Sequence, residues 1–193
     1  MRVTFPRLPD HERGYAVIER GDGVTYRMWG GSVDCRLPHD VVHFVVEDRL
    51  GLADGIWGAI AGGVVYRSME HIGGRRPPHA AERSAAIKRE YGAALRWAEF
   101  LGGFVEHVAH AGIDRPDALA RLPRQHFGTL AEVGTDPAVI LDAARALRAR
   151  EAEWAALSVG DELSLDWPSW RRMRPPTSLN RRPRRLAARR RAA

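Results

Sequence analysis

His39, Asp40, His43 and Glu47 stand at a spacing that can do metal chemistry. On an α-helix each residue turns about 100°. His39, His43, Glu47 and Asp40 then fall at roughly 0°, 40°, 80° and 100° on one narrow arc. Val41, Val42, Phe44, Val45 and Val46 fill most of the remaining circumference. A His-x-x-x-His pair brings imidazoles from neighbouring turns to one point, where they can grip a single transition-metal ion. Glu47 is the natural third protein ligand. Asp40 serves as a fourth ligand, as a partner orienting an imidazole, or as a proton acceptor for bound water. Three ligands with one open position make the layout of a catalytic zinc site, and zinc or iron suits these donors.

The same residues admit plainer readings. Eight histidines in this chain give roughly 0.3 such pairs by chance, so the flanking acids carry much of the signal. Leu37-Pro38 reads as a helix start with Pro at the first helical position. Asp40 would then sit in the first turn, where the helix dipole favours an acid by roughly 0.3–1 kcal/mol. The polar arc then becomes a solvated face. Alternatively, Val41–Val46 is a strand, as its β-branched residues favour. His39, His43 and Glu47 would share a face there too, but adjacent members would lie about 13 Å apart, too far for one ion. One electrostatic point favours the metal. The positive end of a helix disfavours imidazolium, so His39 and His43 stay neutral, the form that ligates.

The segment His39-Asp40-Val41-Val42-His43 resembles the His-Asp-x-x-His metal motif of the ubiquinone-biosynthesis family. Proteins of that family are all-helical, and a Glu follows their motif after eleven intervening residues. The resemblance implies a metal held by His39, Asp40 and His43, with a final ligand at Gly55, where this chain has Asp54 alongside. It covers about twenty residues and carries no substrate. The wider run LPHDVVHFVVEDRLGLADGIWG, residues 37–58, also resembles small bacterial proteins, a likeness that supplies no activity. His-Glu-x-x-His peptidases match less well, because Asp replaces the Glu and its shorter arm reaches less far.

The elements that must position these groups read as α+β, mainly α: a small N-terminal antiparallel sheet, joined by a C-terminal strand, on a four-helix core. Tyr15–Glu19 and Val24–Met28 flank Gly21-Asp22-Gly23, a strong hairpin signal. Arg2–Phe5 is a further candidate strand, and Glu162–Trp167 alternates cleanly and should return to this sheet. Between them the chain predicts a motif helix, a second helix from Gly55 to about Met69, a long one over Ala80–His110 and a last over Pro137–Leu157. Gly58 and Gly62 inside the second should allow close backbone approach, with the motif helix as the expected partner. Glu106, His107 and His110 form a reserve source of ligands, although histidines near a helix C-terminus also suit its dipole.

Composition sets the outer limits. The 193 residues are 45% hydrophobic with six Trp, which suits one globular domain over 1–170 and argues against disorder there. Cys35 is the only cysteine, so no intrachain disulfide forms, and a reducing cytoplasm is the expected compartment. Its structural reading is a small buried hydrophobe, four residues before the motif. No signal peptide stands out, and the longest apolar run, Ile56–Tyr66, is too short to span a bilayer. The net charge of +6 hides a division: residues 171–193 hold ten Arg and no acid, which leaves −4 on residues 1–170. That segment is expected to be a disordered tail able to make nonspecific polyanion contacts. With 29 Arg against one Lys, Lys88, codon bias explains it equally well.

Three functions follow from different classes. The first is a metal-dependent enzyme, a hydrolase or lyase acting on a small organic substrate, with His39, His43 and Glu47 as ligands and Asp40 moving the proton. The second is a noncatalytic helical interaction protein. The third is a nucleic-acid-associated protein using the Arg tail.

Overall fold

Alternating apolar residues around tight turns build the sheet, and 3.6-residue periodicity builds the helices that cover it. The structure, a computed structural model, describes residues 1–9, 13–32, 36–122 and 134–175. In chain order the elements are β1 (Arg2–Pro6), β2 (Arg13–Glu19), β3 (Thr25–Ser32), α1 (His39–Arg49), α2 (Ile56–Ala61) and β4 (Met69–Gly73). There follow α3 (Ala80–Glu90), α4 (Gly92–His110), α5 (Pro116–Ala120), α6 (Pro137–Ala156) and β5 (Glu162–Asp166). Cys35 and the segment 176–193 lie outside the described residues. The fold is α+β, mainly α.

The five strands lie in the order β4-β3-β2-β1-β5, every neighbouring pair antiparallel. The hairpin β2–β3 turns at Gly23, whose φ of 78° suits a residue without Cβ. The C-terminal strand returns as expected: β5 pairs with β1 from Arg2 opposite Asp166 to Pro6 opposite Glu162. One face of the sheet contributes Val3, Phe5, Ala16, Ile18, Tyr26, Met28, Leu163 and Leu165 to the core. On it sit α1, α4 and α6, which pack on one another and close the core with Leu101, Phe104, Ile140, Leu147 and Trp154.

Two helices differ from their sequence reading. The second stops at Ala61 rather than Met69, because Gly62 caps it and Gly63 turns the chain away at φ 108°. Met69, at the end of the expected helix, instead begins β4 (Met69–Gly73) on the free edge of β3. The long helix over Ala80–His110 is two, α3 and α4, divided at Tyr91, whose φ of −100° and ψ of 16° leave the helical region. The glycines of α2 do admit close neighbours, though not the motif helix. A Cβ on Gly58 would lie 2.0 Å from the Ala53 carbonyl oxygen, and one on Gly62 would lie 2.4 Å from that of Met173.

The packed chain runs past residue 170. The Met173 N–H donates to the Gly58 carbonyl at 2.9 Å, and the Met173 side chain is buried. Arg171 Nη1 donates to the Asp48 carbonyl and carboxylate at 2.9 and 2.6 Å, while its guanidinium lies over the Trp167 and Trp170 rings. This short strap ties the C-terminal end to the end of α1 and to α2.

Candidate metal centre

Residues 39–49 form a helix, which removes the strand alternative for the motif. Pro38 takes the cap position itself, so His39 is the first helical residue and Asp40 lies in the first turn. The arc of His39, His43 and Glu47 is solvated only at its start, where His39 is exposed. Val41 through Glu47 are all buried, because the sheet covers one side of α1 while α4 and α6 cover others. Two aromatic contacts fix the helix further. The Phe44 ring packs edge-on against Trp57 and Trp167, both at 5.3 Å, and Trp57 Nε1 donates to the Asp40 carbonyl at 3.2 Å.

A third ligand comes from α4. His39 Nε2 and His43 Nε2 lie 3.0 Å apart, and the Glu99 carboxylate lies 3.3 Å from each, through Oε1 to His39 and Oε2 to His43. Among the described residues, these three form the group of His, Cys, Asp or Glu side chains that could hold a metal ion, with ligand atoms all within 4.8 Å. Donors about 2.0–2.1 Å from a tetrahedral ion lie about 3.3 Å apart, a spacing near that of the two imidazole nitrogens, while the two Glu99 oxygens each face a different imidazole. The His43 side chain is 1% exposed, whereas His39 and Glu99 are 63% and 55% exposed. The buried imidazole anchors the site from below and leaves its outer side open to solvent.

Glu47, the ligand expected from the spacing, is not brought into this group. Its Oε1 accepts from the Ile56 N–H at 2.7 Å and its Oε2 from the Trp57 N–H at 2.9 Å. The carboxylate thus caps the first turn of α2, satisfying two otherwise orphaned backbone donors. It also fills the space beside Gly55, the position to which the eleven-residue count leads. A Cβ there would lie 2.3 Å from Glu47 Cδ. The reserve cluster is engaged elsewhere, with His110 Nε2 bonded to Glu151 Oε1 at 2.6 Å across to α6.

Glu99 was missed because it stands alone on a helix read as apolar. A signal was present in the residues that follow it. Gly102 and Gly103 leave α4 without side chains one turn along, and His43 uses that gap. A Cβ on Gly102 would lie 2.7 Å from His43 Cε1 and 3.0 Å from Nδ1. The acid one turn before a bare helix patch therefore meets whatever the patch accommodates.

Burial sets the protonation states. It pushes the His43 imidazole down to about 4, with Glu99 opposing the shift and His39 reinforcing it. His43 is therefore neutral at pH 7 and able to offer a lone pair. Burial likewise raises the Asp40 carboxyl, against the pull of His39 and with a further push from Glu99. The Tyr66 hydroxyl is raised by burial, then by Glu47 and Glu99. One feature weakens the site. His43 Nδ1 is buried with no hydrogen-bond partner among the described residues. The tautomer that frees Nε2 for a metal must carry an unpaired Nδ1–H, at a cost of about 1–3 kcal/mol. Metal-ligating histidines usually donate that proton to an acceptor, and losing one typically costs 10–100-fold in affinity.

No protein-family model matches the chain, and no curated protein or solved structure is significantly similar to it. No helix of the described residues is long and apolar enough to cross a membrane.

Proposed function

We propose that this protein is a metal-dependent enzyme, of hydrolase or lyase type, acting on a small organic substrate. His39, His43 and Glu99 hold zinc or iron, and Asp40 is the proton acceptor. The observation that carries the reading is the convergence of two imidazoles and one carboxylate, from separate helices, on one half-open point. A structural metal site is closed by four protein ligands, whereas three with an open side leave room for a reacting group.

A divalent ion there would supply a Lewis acid and lower the pKa of a water molecule. The residues do the rest. His43, held rigidly between α1 and Gly102 of α4, fixes the position of the site. His39 and Glu99, both on the open side, complete it without enclosing it. Asp40 is next to His39 and half-buried, and no hydrogen bond to its carboxylate is found among the described residues. A carboxylate so placed is free to take a proton from a substrate or water and return it to a leaving group.

The test is turnover by zinc-loaded and iron-loaded protein on small esters, amides and carboxylic acids, with products followed by mass spectrometry. Asp40→Asn should keep its metal and lose at least 100-fold in rate, the lower end expected for removing a general base. A protein that holds its metal and turns over nothing in the panel, or an unchanged rate in Asp40→Asn, would count against this reading.

A further inference from the structure

A cleft of about 240 Å³ opens beside the candidate metal centre, with His39 and Asp40 in its lining. Its walls are apolar and largely aromatic: Phe5, Tyr15, Pro38 and Trp154. Three features of the sheet end next to it point to a place kept clear for a ligand. The ladder between β2 and β3 shifts register between Arg13 and Tyr15, and such irregularities re-aim side chains beside sites. Gly14, Gly30 and Gly31 line the cleft with bare backbone, where a neighbouring group can approach closely. One of those glycines lies close against Asp40. A Cβ on Gly30 would lie 3.0 Å from Asp40 Oδ2, so a side chain there would press on the carboxylate.

The chemistry of the lining selects its occupant. No Lys or Arg is among the described lining residues, and although Arg7 and Arg13 sit against Trp154 and Gly30, the one charged side chain of the lining is Asp40, which repels an anion. A cation would be drawn to Asp40 and to the aromatic faces, and is disfavoured only when the neighbouring site is loaded with a divalent ion. The Asp40 carboxylate, which has no donor among the described residues, asks for one. The volume falls below the roughly 300–1,000 Å³ of drug-sized sites, which calls for a small body.

We infer that this cleft binds the substrate, and that the substrate is a small uncharged molecule with an apolar, flat body and one N–H or O–H donor for Asp40. The inference rests on the metal-enzyme reading for its exclusion of cations and for the placement of the reacting group near His39. The size, the apolar walls and the donor to Asp40 stand without the metal.

Indole serves as the probe, with 1-methylindole as the same body lacking the donor, and with benzoate and benzylammonium as charged controls. Each is titrated into the full-length ¹⁵N-labelled protein, metal-free and zinc-loaded, with amide shifts followed by NMR. Indole should move the Gly14, Gly30 and Gly31 amides saturably. The 1-methylindole should bind at least fivefold more weakly, and both charged probes should bind more weakly than indole to the zinc-loaded protein. Asp40→Ala should erase the preference for indole over 1-methylindole, and Gly30→Val should abolish binding while the remaining spectrum stays folded. Equal affinity for the two indoles, a charged probe preferred, or shifts centred elsewhere would overturn the inference. If zinc fails to bind but indole still prefers Asp40, the metal reading falls and the cleft stands. If zinc binds and indole does not, the cleft alone falls.

Discussion

Glu47 lies buried one turn beyond His43 on α1. It has the right type and the right phase for a ligand, yet both its oxygens face the start of α2 rather than the histidines. Burial pushes its carboxyl up to about 8, against the two backbone N–H bonds that favour the charged form, with Asp54 and Glu99 adding to the rise. The unfolded chain, with an ordinary value near 4.5, gives up this proton earlier than the folded one as pH rises. The stability Glu47 contributes is therefore fully present below pH 4.5 and is lost as pH rises through 8. Urea unfolding from pH 5 to 9 should show that decline, and Glu47→Gln, which cannot titrate, should flatten it. An unchanged pH dependence in Glu47→Gln would show that the carboxyl is already ionised throughout. Glu47→Ala should be worse at every pH, by about 2 kcal/mol or more, since it leaves the Ile56 and Trp57 donors unpaired in the interior. His39, Asp40 and His43 were legible in the sequence because their signal is local, three residues within about one turn of one helix. Glu99 was not, since its partnership with His43 spans 56 residues and depends on how α4 crosses α1.

At the scale of elements, the crossing of α1 and α4 makes the centre, and Gly102 makes the crossing. Gly102→Val should force the His43 ring aside. We expect a loss of about 1–3 kcal/mol from overpacking and a tenfold or greater fall in zinc affinity. Thermal melting and chelator competition measure the two separately, and retention of full zinc affinity would show that His43 does not anchor the site. The hairpin, β1, α6 and the returning β5 were all readable from alternation and turn residues. The boundaries that escaped were those set by tertiary contact. Val64 and Val65 continue the apolar run of α2, but Gly63 at positive φ ends the helix first. Nothing in Met69–Gly73 marks it as a strand except the free edge of β3, a neighbour that exists only once the sheet has formed. The break at Tyr91 is marked only by the single Gly92 after it, while Ile87, Leu95 and Ala98 keep helical spacing across it.

For the whole molecule, the C-terminal strap carries the packing past residue 170. Charge alone divides the sequence after residue 170, but Arg171 and Met173 are already packed. A chain ending at Pro175 should melt within a degree or two of the full-length protein. One ending at Trp170 should melt at least several degrees lower, because it loses the buried Met173 and the Arg171–Asp48 contacts; equal melting of the two would deny the strap a structural part. The account as a whole depends on a metal at the meeting of α1 and α4. The most direct measurement is elemental mass spectrometry of the purified protein, before and after equilibration with zinc and with iron, alongside His39→Ala and Glu99→Ala. Both substituted side chains are more than half exposed, so these variants should fold. The account predicts about one equivalent of zinc or iron per chain, largely lost in each variant while the circular dichroism spectrum is unchanged. A protein that neither carries nor rebinds either metal, or variants that keep a full equivalent, would contradict it.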